Sequence, residues 1–218
     1  MTMQDINHHL TDPLLMAYAA GTLPEAFSLT VATHVSMCDE CRARLGAFES
    51  LGGAVLDRTG SVAMSADSLG ATLARIREGN GQAERPAPRR RDDVLPAPLH
   101  DYVGGGLDSV RWRPIGMGVK QAILPTSRDA TARLLYIPAG AAVPDHGHRG
   151  TELTLVLQGA FVDESDRYGR GDIEVAGEDM QHMPVADIGA DCICLAATDA
   201  PLRFRGMIPR LAQPFLRI

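Results

Sequence analysis

From Pro13 to Ile76 the apolar residues recur at spacings of three and four, and from Ala132 onward they alternate or run in short blocks. The first part therefore reads as helices and the second as strands. Thr11 or Asp12 caps a first helix with Pro13 in its opening turn, and Leu14, Leu15, Tyr18 and Ala19 form its apolar face. Gly21 ends it. Leu23-Pro24-Glu25 opens a second helix running to about Ser36. A third starts near Cys38, continues through Leu45, Phe48 and Leu51, and ends at Gly52-Gly53 or slightly beyond. After the capping residue Ser65, a fourth over roughly 65–77 carries Leu69, Leu73 and Ile76 at i, i+4 and i+7. That edge either packs on the other helices or waits for a partner.

Residues 79–100 break all periodicity. Gly, Pro and Ala mix there with the run Arg89, Arg90, Arg91, Asp92, Asp93, a composition that favours extended, solvated backbone. They read as a flexible linker between a helical domain, 1–78, and a β domain, 101–218. In the latter, Ala132 to Ile137, Glu152 to Gln158, Ala160 to Glu164, Asp172 to Val175 and Cys192 to Ala196 are candidate strands. Short, closely spaced strands without long helices indicate a sandwich or barrel.

Charge and composition narrow the function. The formal net charge is −6. Residues 1–78 hold five basic and nine acidic side chains, and residues 101–218 hold twelve and fifteen. Neither part offers the basic surface that phosphate binding demands, so direct nucleic-acid binding is not expected. No apolar run reaches the 18 or so residues that span a bilayer, and the polar start, Met1 to His9, has no signal-peptide pattern. A cytoplasmic protein without membrane contact is expected. The four cysteines form two close pairs, Cys38/Cys41 and Cys192/Cys194, which in that compartment point to metal or redox chemistry.

The first pair belongs to His34-x3-Cys38-x2-Cys41. On one helix the three share a face; with a break near Ser36 the cysteines fall on the next first turn. Either way two thiolates and an imidazole converge, and zinc prefers four such donors in a tetrahedron. His9 or His8, ahead of the first helix, can supply the fourth. A helical unit of under 80 residues benefits from such a staple. The segment resembles the zinc-binding anti-sigma domain, whose signature is this spacing with another histidine upstream. The resemblance covers about 8–78 and puts the upstream ligand on His9, with His8 as the alternative. It implies a small helical bundle plus trailing helix that clamp an extracytoplasmic-function sigma factor and hide its polymerase-binding surfaces.

A second constellation lies in the β part. His146 and His148 alternate and so face one side of a strand, Glu152 begins the next stretch, and His182 arrives from a separate strand. In a small barrel these inward groups meet. Three imidazoles and a carboxylate suit zinc, iron, manganese or nickel. The spacing Gly140-x5-His146-x-His148-x3-Glu152-x6-Gly159 resembles the first cupin motif at every defined position. Gly171 followed eleven residues later by His182 is similar to the second, with Gly177, Asp179 and Ala186 departing from it.

Together the parts resemble the ChrR family of regulators. The resemblance implies a two-domain, α plus β protein: a zinc-stapled helical bundle followed by a cupin (jelly-roll) β-barrel. It implies metal at His9, His34, Cys38 and Cys41 and at His146, His148, Glu152 and His182, and no catalytic residues. The implied function is sequestration of a sigma factor, with release through the cupin under singlet-oxygen-type stress. The alternative is a metal-dependent cupin dioxygenase with a structural zinc extension. Cys192 and Cys194 share one face of a strand, opposite Ile193, and read either as buried packing or as oxidisable thiols.

Overall fold

The computed structural model of the chain describes residues 5–78 and 94–204. Helices α1 (Asp12–Ala19), α2 (Glu25–Met37), α3 (Asp39–Asp57) and α4 (Ser68–Glu78) come first. A 3-10 turn over Ala97–Leu99 leads into the single-turn α5 (His100–Val103). The strands follow: β1 (Arg113–Gly116), β2 (Val119–Ile123), β3 (Thr131–Ile137), β4 (His146–Gly147), β5 (Glu152–Gln158), β6 (Ala160–Val162), β7 (Arg167–Gly169), β8 (Ile173–Ala176), β9 (Gln181–His182), β10 (Val185–Ala186), β11 (Cys192–Thr198) and β12 (Arg203–Phe204). No helix among the described residues is long and apolar enough to cross a membrane.

The helical starts follow local chemistry. Thr11 is the N-cap of α1, Pro13 occupies its first turn, and Gly21 turns the chain away with φ +67°. Cys38 sits in extended conformation between α2 and α3, and its sulfur accepts the Cys41 N–H as an N-cap. The break expected near Ser36 therefore falls two residues later. The third helix also runs past its glycine pair to Asp57, and its last turns expose Leu51, Val55 and Leu56.

The strands form an antiparallel six-stranded sheet, β1-β2-β3-β11-β5-β8, faced by two three-stranded sheets, β10-β6-β7 and β12-β4-β9. β5 and β11 are buried at nearly every residue because both faces of the large sheet are covered. Ala26, Phe27, Leu29 and Val31 from the helices join Leu134, Leu153, Leu155, Leu195 and Ala197 in one core. Val156, Phe161, Cys192 and Cys194 fill the other side, inside the barrel. The helical part is thus not a separate globule: it shares its core with the outer face of the sheet.

The expected linker is corrected at its end. Leu95 and Leu99 are buried in that shared core, and His100 is buried too, its Nε2 2.9 Å from the Leu95 carbonyl. Composition suggested a solvated stretch, but Leu95 and Leu99 supply apolar surface that α2 covers. Residues 79–93, with Arg89 to Arg91, lie outside the described residues.

Candidate metal centres

The break at Cys38 builds the first centre. It leaves His34 on the last turn of α2 and puts Cys41 on the first turn of α3, while the segment before α1 delivers His9. His9 Nδ1 lies 3.3 Å from Cys38 Sγ and 3.7 Å from Cys41 Sγ. All four donor atoms fall within 4.8 Å of one another. A tetrahedron with Zn–N and Zn–S bonds of ordinary length has an N···S edge of about 3.6 Å, so the spacing fits such an ion. Outer contacts orient both rings. His34 Nδ1–H donates to the Gly171 carbonyl at 3.0 Å, and His9 Nε2 lies 3.3 Å from Glu40 Oε2. His34 Nε2 is then buried with no hydrogen-bond partner, a nitrogen lone pair that only a metal or a proton donor would satisfy.

Without metal, burial and lack of solvent push the His34 pKa down to about 4, against the Gly171 hydrogen bond. Burial likewise raises the Cys41 thiol to about 11. His8 takes a different path. Its ring packs against Tyr168, with centroids 4.3 Å apart, and its Nε2 reaches Asp166 at 3.2 Å. Of the two histidines left open by spacing, His9 is the one brought to the thiols.

The second centre lies in the barrel. β4 pairs with β9, so His146 and His182 stand opposite each other, and His148 follows just beyond β4. The Nε2 atoms of His148 and His146 each lie 3.2 Å from His182 Nε2. Three ring nitrogens at that distance cannot all hydrogen-bond one another, whereas about 3.3 Å is the N···N edge of a tetrahedral zinc site. The tautomers agree: His146 Nδ1–H donates to the Pro144 carbonyl at 2.8 Å, and His182 Nδ1 faces Glu174 and Asp163 at 3.1 and 3.2 Å. Glu152 is set back. Its Oε2 is 3.7 Å from His148 Nδ1, Oε1 accepts the Thr154 hydroxyl, and it stands outside the tight group of donor atoms.

Burial lowers the pKa of His146 and His148, with Glu152 opposing it. At His182 burial also opposes charge, but the hydrogen bond and charge of Glu174 outweigh it and raise the value to about 9. Burial lifts Glu174 itself to about 7. Asp163 and Glu174 were not anticipated. An acid in the middle of the apolar strand Ile173–Ala176 is a signal that a reader could use, because a carboxylate is rarely buried unpartnered; Asp163, in an ordinary acidic turn, carried none. His146 and His182 open onto a cavity of about 290 Å³ lined mostly by apolar side chains, among them Leu135, Val143, Phe161 and Pro184, with Arg133 in its wall. Cys194 also lines it, with Cys192 Sγ 3.4 Å away and both thiols buried.

A barrel that aims three imidazoles at one interior point is a cupin-type barrel, here carrying helices with a His/Cys group of their own. Residues 103–200 match the family described as the ChrR Cupin-like domain. The chain is 63% identical over 214 residues to Anti-sigma-E factor ChrR of Cereibacter sphaeroides, covering 98% of this chain and 99% of that protein. It belongs to the ChrR family of anti-sigma factors. Its fold also matches a chain of the crystal structure of Rhodobacter sphaeroides SigE in complex with the anti-sigma ChrR. That match has a TM-score of 0.79 and 59% identity, over 89% of this chain and 100% of that one.

Proposed function

We propose that this protein is a cytoplasmic anti-sigma factor that binds an extracytoplasmic-function sigma factor and blocks its access to RNA polymerase. The observation that carries the reading is the apolar surface along the end of α3 and the edge of α4. Leu51, Val55, Leu56, Leu69 and Ile76 are each at least 60% exposed, and no residue of α4 is buried. Exposed apolar side chains gathered along a helix mark a protein-binding face. The chain's membership of the family, and its likeness to a protein solved with SigE, say which partner suits it.

In this reading His9, His34, Cys38 and Cys41 hold zinc. Zinc supplies no redox chemistry there; it ties the N-terminal segment to the α2–α3 junction. His146, His148 and His182 hold a second ion, zinc or else iron, manganese or nickel, with Glu152 as a fourth ligand once its carboxylate turns from Thr154. Glu174 and Asp163 fix the His182 tautomer. The barrel then serves binding and signalling, with oxidative stress favouring the released state, and no catalytic residue is assigned. The cavity beside His146 and His182 is the one observation that favours the alternative, a metal-dependent dioxygenase.

The test is co-purification of the full chain with the extracytoplasmic-function sigma factor of its own genome, beside a His34→Ala, Cys38→Ala variant, with metal quantified in each. Metal-dependent capture that prevents polymerase binding supports the reading. A folded, metal-loaded chain that captures no sigma factor sinks it, and turnover of a small substrate in the cavity would then be sought.

A further inference from the structure

The two centres meet at a single turn of the barrel. Between β7 and β8, Gly171 adopts φ +91°, and a Cβ built there would lie 2.6 Å from Ile6 Cδ1. The N-terminal segment is thus seated on a position that only glycine leaves open. The Gly171 carbonyl takes the His34 ring N–H. The next residue, Asp172, is 3% exposed, and its Oδ1 accepts the backbone N–H groups of Asn7 and His8 at 2.7 and 2.9 Å. Its Oδ2 accepts the Gly169 N–H at 2.8 Å, and Ile173 N–H reaches the His8 carbonyl. The segment that delivers His9 is therefore bolted to the start of β8. Two residues further along the same chain, Glu174 holds His182 Nδ1 at 3.1 Å.

We propose that the Gly171–Asp172 turn is a latch that positions both His9 and His34 from the barrel, and so transmits the metal state of the barrel to the N-terminal centre. Asp172 touches neither group of metal-site donors and acts through the backbone of residues 7 and 8. The path is short and each contact has a named donor and acceptor. If the barrel metal fixes His182, it fixes Glu174 and with it β8. When β8 shifts, the Gly171 carbonyl and the Asp172 carboxylate shift with it, so His34 loses its outer partner and the segment that carries His9 loses its anchor. Such partners commonly govern metal affinity by about ten- to a hundredfold. By linkage, loosening of the N-terminal centre also weakens the barrel's hold on its ion by the same factor.

The inference rests on the reading that both centres hold metal, and the test separates the two. Elemental analysis of the full-length chain comes first: two metals per chain are expected, and fewer would remove the metal reading and the latch together. The probe is then the rate at which N-ethylmaleimide labels Cys38 and Cys41, resolved by peptide mapping. Emptying the barrel with His148→Ala, which touches no residue of the latch, is expected to speed labelling about tenfold. Asp172→Ala is expected to speed it by at least as much, and the double variant to add nothing further, because both changes act through one link. Asp172→Asn keeps the acceptor for the Asn7 and His8 N–H groups but turns an amide NH2 toward the Gly169 N–H, so it restores slow labelling in part, to a rate between those of Asp172→Ala and the original chain. Should Asp172→Ala fail to fold, Asn7→Pro deletes one N–H donor and leaves the barrel sequence intact. Two metals per chain with labelling unchanged by any of these substitutions, or with effects that simply multiply, would overturn the latch and leave the metal reading standing.

Discussion

The apolar edge of α4 gives the most direct perturbation. Leu69, Leu73 and Ile76 are 71%, 41% and 68% exposed. Full burial of a Leu or Ile side chain is worth about 1.5–3 kcal/mol. Scaled by the exposed fraction, a partner that covers this edge gains about 1–2 kcal/mol at each of Leu69 and Ile76, and about half that at Leu73. The double substitution Leu69→Ala, Ile76→Ala should therefore cost about 2–4 kcal/mol of binding, or about 30- to 700-fold in Kd. The lower end is expected, because alanine keeps a methyl group. The helix itself should not suffer: alanine is at least as good a helix former as leucine or isoleucine.

The assay is calorimetric titration of the full chain with the sigma factor, run beside thermal melts of the unbound chain. Exposed substitutions shift stability by no more than about 0.5 kcal/mol each, or about 1 kcal/mol for the pair, so the melt should move by at most about 4 °C. A Kd within threefold of the original would refute the assignment of α4 to the partner. A melt lowered well beyond that bound would show instead that the edge packs within the chain, the other role that the i, i+4, i+7 pattern allowed.

Three further outcomes follow from the core and the thiols. Leu155→Ala opens a cavity between α2 and the large sheet and should cost about 2–5 kcal/mol; because helices and barrel share that core, urea unfolding followed by both helical and barrel probes should shift as one transition. Cys192 and Cys194 should resist N-ethylmaleimide in the native chain and label only on unfolding, since the hydrogen bond with Cys192 and burial hold the Cys194 thiol well above its ordinary pKa; native labelling of either would reopen the oxidisable-thiol reading. At pH 7 the metal-free Cys41 thiol, at about 11, carries its proton, so loading must expel it, and apparent zinc affinity should fall at least tenfold per unit as pH drops. Chelator competition at pH 6, 7 and 8 checks the slope, and a flat profile would remove Cys41 from the ligand set.

What could be read from the sequence divides along physical lines. The helices were legible because Pro13, Gly21 and Pro24 act on their own neighbours, and the edge of α4 because its periodicity survives without tertiary help. β3, β5 and β11 were legible as apolar blocks of strand length. β1 and β2 were not, because Arg113–Gly116 is four residues with a proline and a glycine, and in Val119–Ile123 the polar Gln121 is buried while Ile123 is exposed, and two-residue strands such as β4 and β9 have no period at all. His34, Cys38 and Cys41 lie within eight residues, so local spacing placed them. The choice between His8 and His9 depended on Tyr168 and Asp166, more than 150 residues away, which no local pattern encodes. Glu152 shows the converse: its spacing from the histidines fits the motif, yet Thr154, two residues on, holds the carboxylate away from the tight group.

The placement of the N-terminal centre bears on how release can work. A signal changes sigma binding only through a difference in its interaction with the bound and free forms. Moving a complex from about 99% bound to about 1% takes roughly 5.5 kcal/mol of such difference. Neither thiol of the barrel is placed to supply it alone, since both are buried. α4 has no buried residue, so it can leave a partner without disturbing the core. The first turn of α3, by contrast, hangs on Cys38 and Cys41, whose co-ligands are held from Gly171 and Asp172. With metal in both centres and the latch between them, a change at the barrel would reach the base of the helix whose far end forms part of the proposed binding face. Sequestration and sensing then draw on different parts of one packed unit: an exposed edge that needs no rearrangement to bind, and a buried boundary whose rearrangement alters the frame beneath it.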